Sequence, residues 1–261
     1  MATHHIYIDS ADAVNTSSAQ FTVTLPENLD LGPSTTYRID DFRMVHSIPT
    51  VTPLNHYIYL LEPNMRVRVI AIPNGYYTAD TLTQVLPAAL DVGSYGWGCS
   101  YNGTTNTFQI SNGNFSFRFL TDKELSDLSY SGISYPSDAT PDSPKSFNHI
   151  LQNYAGTQAS TGMLSYTFFA DLQPYSYLQL RSKRLASKNV ISVRNEHDIL
   201  LKIPLDVAYG NIIRAETPGF DSIVVGRTLH RNLDFSITDY KGNVVETLYD
   251  TRISFILVLY G

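Results

Sequence analysis

The chain has 261 residues, 43% of them hydrophobic and only 16% charged, with a net charge of −6. The acidic balance argues against a general nucleic-acid binder, because neutralising phosphates takes a basic face. The single Cys99 excludes an intramolecular disulfide and any cysteine metal cluster, and no stretch reaches the roughly 20 apolar residues that span a bilayer.

Residues 1–30 are predicted as an N-terminal strand and arm. Ile6–Ile8 form the first strand, and Phe21, Val23 and Leu25 then alternate with Thr22 and Thr24. Such a period of two puts one face on a core and the other outward. Tyr37–Met44, Tyr57–Leu61 and Arg66–Ile72 follow as strands, the last ending in the turn Pro73-Asn74-Gly75. Leu82, Val85, Leu86 and Leu90 recur at helical spacing, with Pro87 expected to break or kink the pattern. Phe108–Ile110 and Phe115–Phe119 read as strands separated by Asn112-Gly113.

Thr121-Asp122-Lys123-Glu124 is a capping box, so a second short helix should begin there with Leu125 and Leu128 facing inward. From about 129 to 162 the periodicity fades into Ser, Pro, Gly and Asp, which predicts a surface loop insertion. Tyr177–Arg181, Ile199–Ile203, Ile212–Ala215, Leu233–Thr238 and Arg252–Tyr260 complete the strands. The final one is apolar on both faces, as a central or partner-covered strand would be. Many short strands between turn signals point to an all-β sandwich or jelly roll, read as one domain over 1–261 with a long loop insertion and one or two short helices.

No catalytic, cofactor-binding or metal site emerges. His4 and His5 are adjacent, so on a strand they point to opposite faces; the other histidines are dispersed, and no His-x-His occurs. Cys99 lies in an expected strand without an activating base. Asp40 with Asp41, and Asp9 with Asp12, are carboxylate pairs of a kind that serves glycoside hydrolysis or calcium binding, and spacing alone does not separate those roles from ordinary turn and edge residues. Arg181, Lys183, Arg184 and Lys188 read as a solvated edge or a subunit contact. The 18 tyrosines and low charge suit large protein contacts.

The order of segments resembles the penton and minor capsid proteins of tailless double-stranded DNA viruses, the Polinton, adintovirus and virophage-like group. The opening His5-Ile-Tyr-Ile-Asp-Ser10 with Phe21-Thr-Val-Thr-Leu-Pro26 is similar to theirs. So is Ala71-Ile-Pro-Asn-Gly-Tyr-Tyr77 with the helix after it. The C-terminal half carries more: Tyr177–Lys183, Asp198–Pro204, Tyr209–Ile213, Leu233–Asn243 and Ile253–Val258, in the family's order. The resemblance covers about half of the chain, mostly its two ends.

The resemblance implies a single jelly-roll sandwich and a structural viral capsid protein, a penton-type subunit of the virion. It would form a homopentamer at the five-fold vertices of an icosahedral capsid, beside the major capsid protein and with outer loops open to a spike or fibre protein. It implies no enzyme activity, catalytic residue or cofactor, and leaves the subunit interface residues unknown. The absence of a signal-peptide-like apolar run in Met1–Ser10 fits assembly inside a host cell. The competing readings are a carbohydrate- or receptor-binding β-sandwich, with Tyr95, Trp97 and Tyr101 stacking on sugars, and a jelly-roll hydrolase or dioxygenase.

Overall fold

A computed structural model describes residues 3–17, 19–32, 34–91, 96–127, 133–153, 165–173, 175–186, 196–218, 223–224, 228–248 and 250–261. In chain order the first elements are β1 (Thr3–Asp9), β2 (Val14–Ser17), β3 (Gln20–Leu31), β4 (Thr36–Val45), β5 (Tyr57–Leu61) and β6 (Val67–Ala71). Then come α1 (Ala79–Leu90), β7 (Trp97–Asn102), β8 (Thr107–Asn112), β9 (Arg118–Phe119), α2 (Asp122–Ser126), α3 (Asn148–Leu151) and β10 (Ser165–Phe169). The chain finishes with β11 (Tyr177–Arg181), β12 (Ile199–Pro204), β13 (Ile212–Ala215), β14 (Ile223–Val224), β15 (Thr228–Thr238) and β16 (Ile253–Tyr260). Among the described residues the protein is all-β apart from three short α-helices and one 3-10 turn. No described helix is long and apolar enough to cross a membrane.

The chain divides into two compact units, 1–48 with 175–261, and 49–174, where the sequence predicts one domain with a loop insertion. In the first unit, one sheet runs β1-β16-β4-β13, with β14 also on β4, and the other runs β12-β11-β15-β3-β2. Leaving out the short β2 and β14, eight strands remain. Numbered along the chain, the first pairs with the eighth, the second with the seventh, the third with the sixth and the fourth with the fifth, all antiparallel. That is one long hairpin wound up into two sheets, the topology of a jelly roll. Residues 1–30, expected as an N-terminal strand and arm, carry β1, β2 and most of β3.

Alternation explains the packing. Phe21 from β3 meets Phe235 from β15 at 5.5 Å between ring centroids. Phe235 meets Phe255 from β16 edge-on at 5.0 Å, and Phe255 stacks with Phe42 from β4 at 6.3 Å. These rings form a ladder from one sheet to the other, and all are buried with Tyr37, Ile39, Leu178, Leu180 and Leu257 around them. Tyr37 is fully enclosed, and its hydroxyl donates to Leu185 O at 3.0 Å. On β3 the ladder is interrupted between Thr24 and Leu29, which pair with Asn232 and His230. Pro26 sits in that interruption, where its missing N–H costs no ladder bond.

The second unit is a β unit with its own core. It holds sheets β10-β8-β7 and β6-β5-β9, with Trp97, Phe108, Ile110, Phe117 and Phe119 among its buried side chains. The helix α1 runs through Pro87 to Leu90, rather than breaking there. Leu82, Leu86 and Leu90 are wholly buried on one face, which outweighs one missing hydrogen bond near the helix end. At α2 the predicted capping box is formed: Thr121 Oγ1 accepts from Glu124 N, while Glu124 accepts from Thr121 N at 3.0 Å. Leu125 is buried as expected; Leu128 lies outside the described residues.

Within the segment predicted as a surface loop, 133–153 is packed. Phe147, Ile150 and Leu151 are buried, and Ile133 and Tyr135 lie against Tyr59, Leu61 and Leu125. Polar anchors explain why so little periodicity is needed. Asn148 donates to Leu120 O at 2.9 Å and to Asp122 at 2.7 Å, and Asp138 accepts from Tyr57 and Lys145, both at 2.8 Å. Residues 129–132 and 154–162 of that prediction lie outside the described residues.

Candidate functional site, an assembly surface

The residues that could have carried chemistry are occupied by structure. Asp9 caps the turn at Ser10–Asp12 and receives Arg252, whose Nε lies 2.9 and 2.8 Å from its two oxygens. That pairing holds the Asp9 carboxyl below the usual carboxylate range. Asp40 accepts from Arg38 at 2.9 Å and Asp41 from Arg43 at 2.8 Å, so each carboxylate of that pair is held by its own arginine. His46 Nδ1 is bonded to Val207 O, and His56 Nδ1 to Thr52 O. Among the described residues no three His, Cys, Asp or Glu side chains gather as metal ligands.

Cys99 lies on β7, and burial pushes its thiol up to about 11. At pH 8 almost none is thiolate, the form that reacts. Native protein should therefore react with Ellman's reagent on the order of a hundredfold more slowly than an exposed thiol, and at the ordinary rate once unfolded. Fast labelling of the native chain would contradict this burial.

The aromatic group proposed for sugar stacking is packed inward. Trp97 is only 8% exposed and meets Phe117 edge-on at 4.6 Å. Tyr101 lies on Phe108 at 5.2 Å and donates to Asn106. Tyr95 lies outside the described residues.

The basic run splits too. Arg181 is buried on β11: its guanidinium donates to Gln179 and to Asp198 at 3.2 Å, and sits 2.9 Å from Glu196. Arg184 is half-exposed, 3.8 Å from Asp234, and Lys188 lies outside the described residues. A period-two pattern alone gives no sign of Arg181's burial, because its carboxylate partners come from beyond the strand.

On the β1-β16-β4-β13 sheet the outward positions include Tyr7 (76% exposed), Val45, Ile212, Ile256 and Tyr260, with Arg38, Arg43 and Arg214 between them. Ile212 stands opposite Val45, Tyr7 opposite Ile256, and Arg38 lies over the Tyr260 ring at 5.6 Å. The outward positions of the other sheet are polar: Gln20, Thr22 and Thr24, then Asn232, Asp234 and Ser236, while Gln179 and Arg181 beyond them are covered. The two outer faces thus differ in chemistry.

No family model matches the sequence, and no curated protein matches it. Among solved structures, the chain is similar to the crystal structure of selenomethionine-labelled mavirus penton protein. The alignment covers 98% of this chain and 99% of that one, at 11% identity and a TM-score of 0.49.

Proposed function

We propose that this chain is a structural subunit of a viral capsid, a penton-type protein that forms pentamers at the five-fold vertices of an icosahedral virion. One observation carries the proposal. The segments whose order resembles the penton family (His5–Ser10, Phe21–Pro26, Tyr177–Lys183, Asp198–Pro204, Leu233–Asn243 and Ile253–Val258) supply strands of one wound jelly roll. Two unlike outer faces on that roll support it, because a five-fold ring closes only through a heterologous contact. The role is non-catalytic and needs no cofactor; the neighbour in the shell would be the major capsid protein. A sugar-binding module has less support, since Trp97 and Tyr101 are used in packing.

Light scattering on the purified protein tests the proposal. A pentamer has about 146 kDa, five times the 29.2 kDa subunit. Five-fold views in negative stain at that mass are the expected result. A monomer or a dimer that persists when the major capsid protein is added would overturn it.

A further inference from the structure

We propose that the jelly-roll unit binds one extended peptide strand of a partner protein, basic and apolar by turns, in a slot beside the free edge of β1. The proposal goes beyond the capsid reading and can be tested on the chain in any oligomeric state.

The slot is a cleft of about 680 Å³ lined by His4–Tyr7 on one side and Leu25–Leu31 on the other. Both runs are consecutive, so the cleft follows strand edges rather than one face, since successive side chains alternate. On one side, among the described residues, β1 pairs only with β16 and ends its sheet. On the other, β3 pairs with β2 only as far as Thr22, which leaves its later half free on that side. Two unpaired edges from two sheets therefore face one cleft. Its apolar lining is Ile6, Leu25, Leu29, Leu31 and Leu259.

An edge left open is normally blunted by shortness, lysine, proline or a bulge. The other edges of this unit follow that rule. The strand β2 has four residues and a register shift, β13 has four and carries Arg214, and β12 carries exposed Lys202 and ends in Pro204. By contrast β1 runs seven residues in unbroken register, without lysine or proline, and exposes Tyr7. An edge of that length and flatness is a template for a further strand, with main-chain hydrogen bonds supplying affinity and alternate side chains specificity.

Charge selects the occupant. Glu27 and Asp30 stand exposed on the rim, and among the described residues neither is paired with a cation. A strand with apolar residues on one face and lysine or arginine on the other would seat the first on the leucines and bring the second to these carboxylates.

The probe is a synthetic peptide of alternating valine and lysine, titrated calorimetrically into the full chain. Expected are one site per subunit, loss of binding when alternate peptide amides are N-methylated, and weakening on the order of tenfold in Glu27→Lys/Asp30→Lys. Both substituted residues are exposed, so the variant should fold; its circular dichroism confirms that. Failure of the valine–lysine peptide to bind, equal binding of a valine–glutamate peptide, or indifference to the double substitution would overturn the proposal. A pentamer that binds no peptide counts against the slot and leaves the capsid reading standing; a monomer that binds it does the reverse.

Discussion

Replacing Arg181 with methionine is expected to destabilise the protein by about 3–5 kcal/mol. The side chain is 7% exposed, and Glu196 and Asp198 beside it are themselves mostly covered. Methionine fills the space of the arginine stem but leaves the two carboxylates facing one another without their cation. Gln179 would also lose the donor its Oε1 accepts from. Arg184→Met is the control: its partner Asp234 is 3.8 Å away and both side chains are substantially exposed, so the loss should stay below about 1 kcal/mol. Urea unfolding of both variants decides the matter. A loss at Arg181 no larger than at Arg184 would mean that burial adds nothing to this network. Adding Glu196→Gln and Asp198→Asn to Arg181→Met should recover most of the stability, because the penalty comes from uncompensated charge rather than from a missing contact.

Phe235→Ala is expected to cost a similar 3–5 kcal/mol, by a different route. Its ring is 1% exposed and stands between Phe21 at 5.5 Å and Phe255 at 5.0 Å, so truncation removes the middle rung of the ladder joining the two sheets. The strands on either side are hydrogen-bonded in fixed register, so the walls can collapse only in part and a cavity remains. Phe169→Ala on β10 removes the same atoms from a ring that is 64% exposed and should change stability by no more than about 0.5 kcal/mol. Thermal or denaturant unfolding gives both numbers. Equal effects at the two positions would show that the ladder is not what ties the sheets together.

Of the candidate site, the sequence contains the ingredients and not the arrangement. The unguarded composition of Thr3–Asp9 is plain in the chain, and so are Glu27 and Asp30. That these residues share one cleft follows from the pairing of β1 with the last strand, 250 residues away in sequence order, and no local pattern encodes that neighbour. The same holds for the apolar outer row of β16. The sequence predicts a strand apolar on both faces, and the structure explains it by position: β16 lies centrally between β1 and β4, so Val258 is covered although it points outward.

Local rules determined most of the elements. β5, β11 and β13 begin and end where alternation and turn residues place them, and the capping box at Thr121 starts α2 where expected. These features depend on neighbours within a few residues, which a sequence states directly. Tertiary structure decided the rest. Alternation tells which face of a strand is buried but not which strand lies beside it, so only the folded chain gives the pairing of first with eighth and second with seventh. It also decides where a proline is tolerated inside a helix, as at Pro87, and where a charge can be buried, as at Arg181. The core around Phe147, Ile150 and Leu151 was illegible for the same reason. Its side chains are held by Asp122 and Asn148 rather than by a repeating pattern, and such anchors become visible only when distant segments meet.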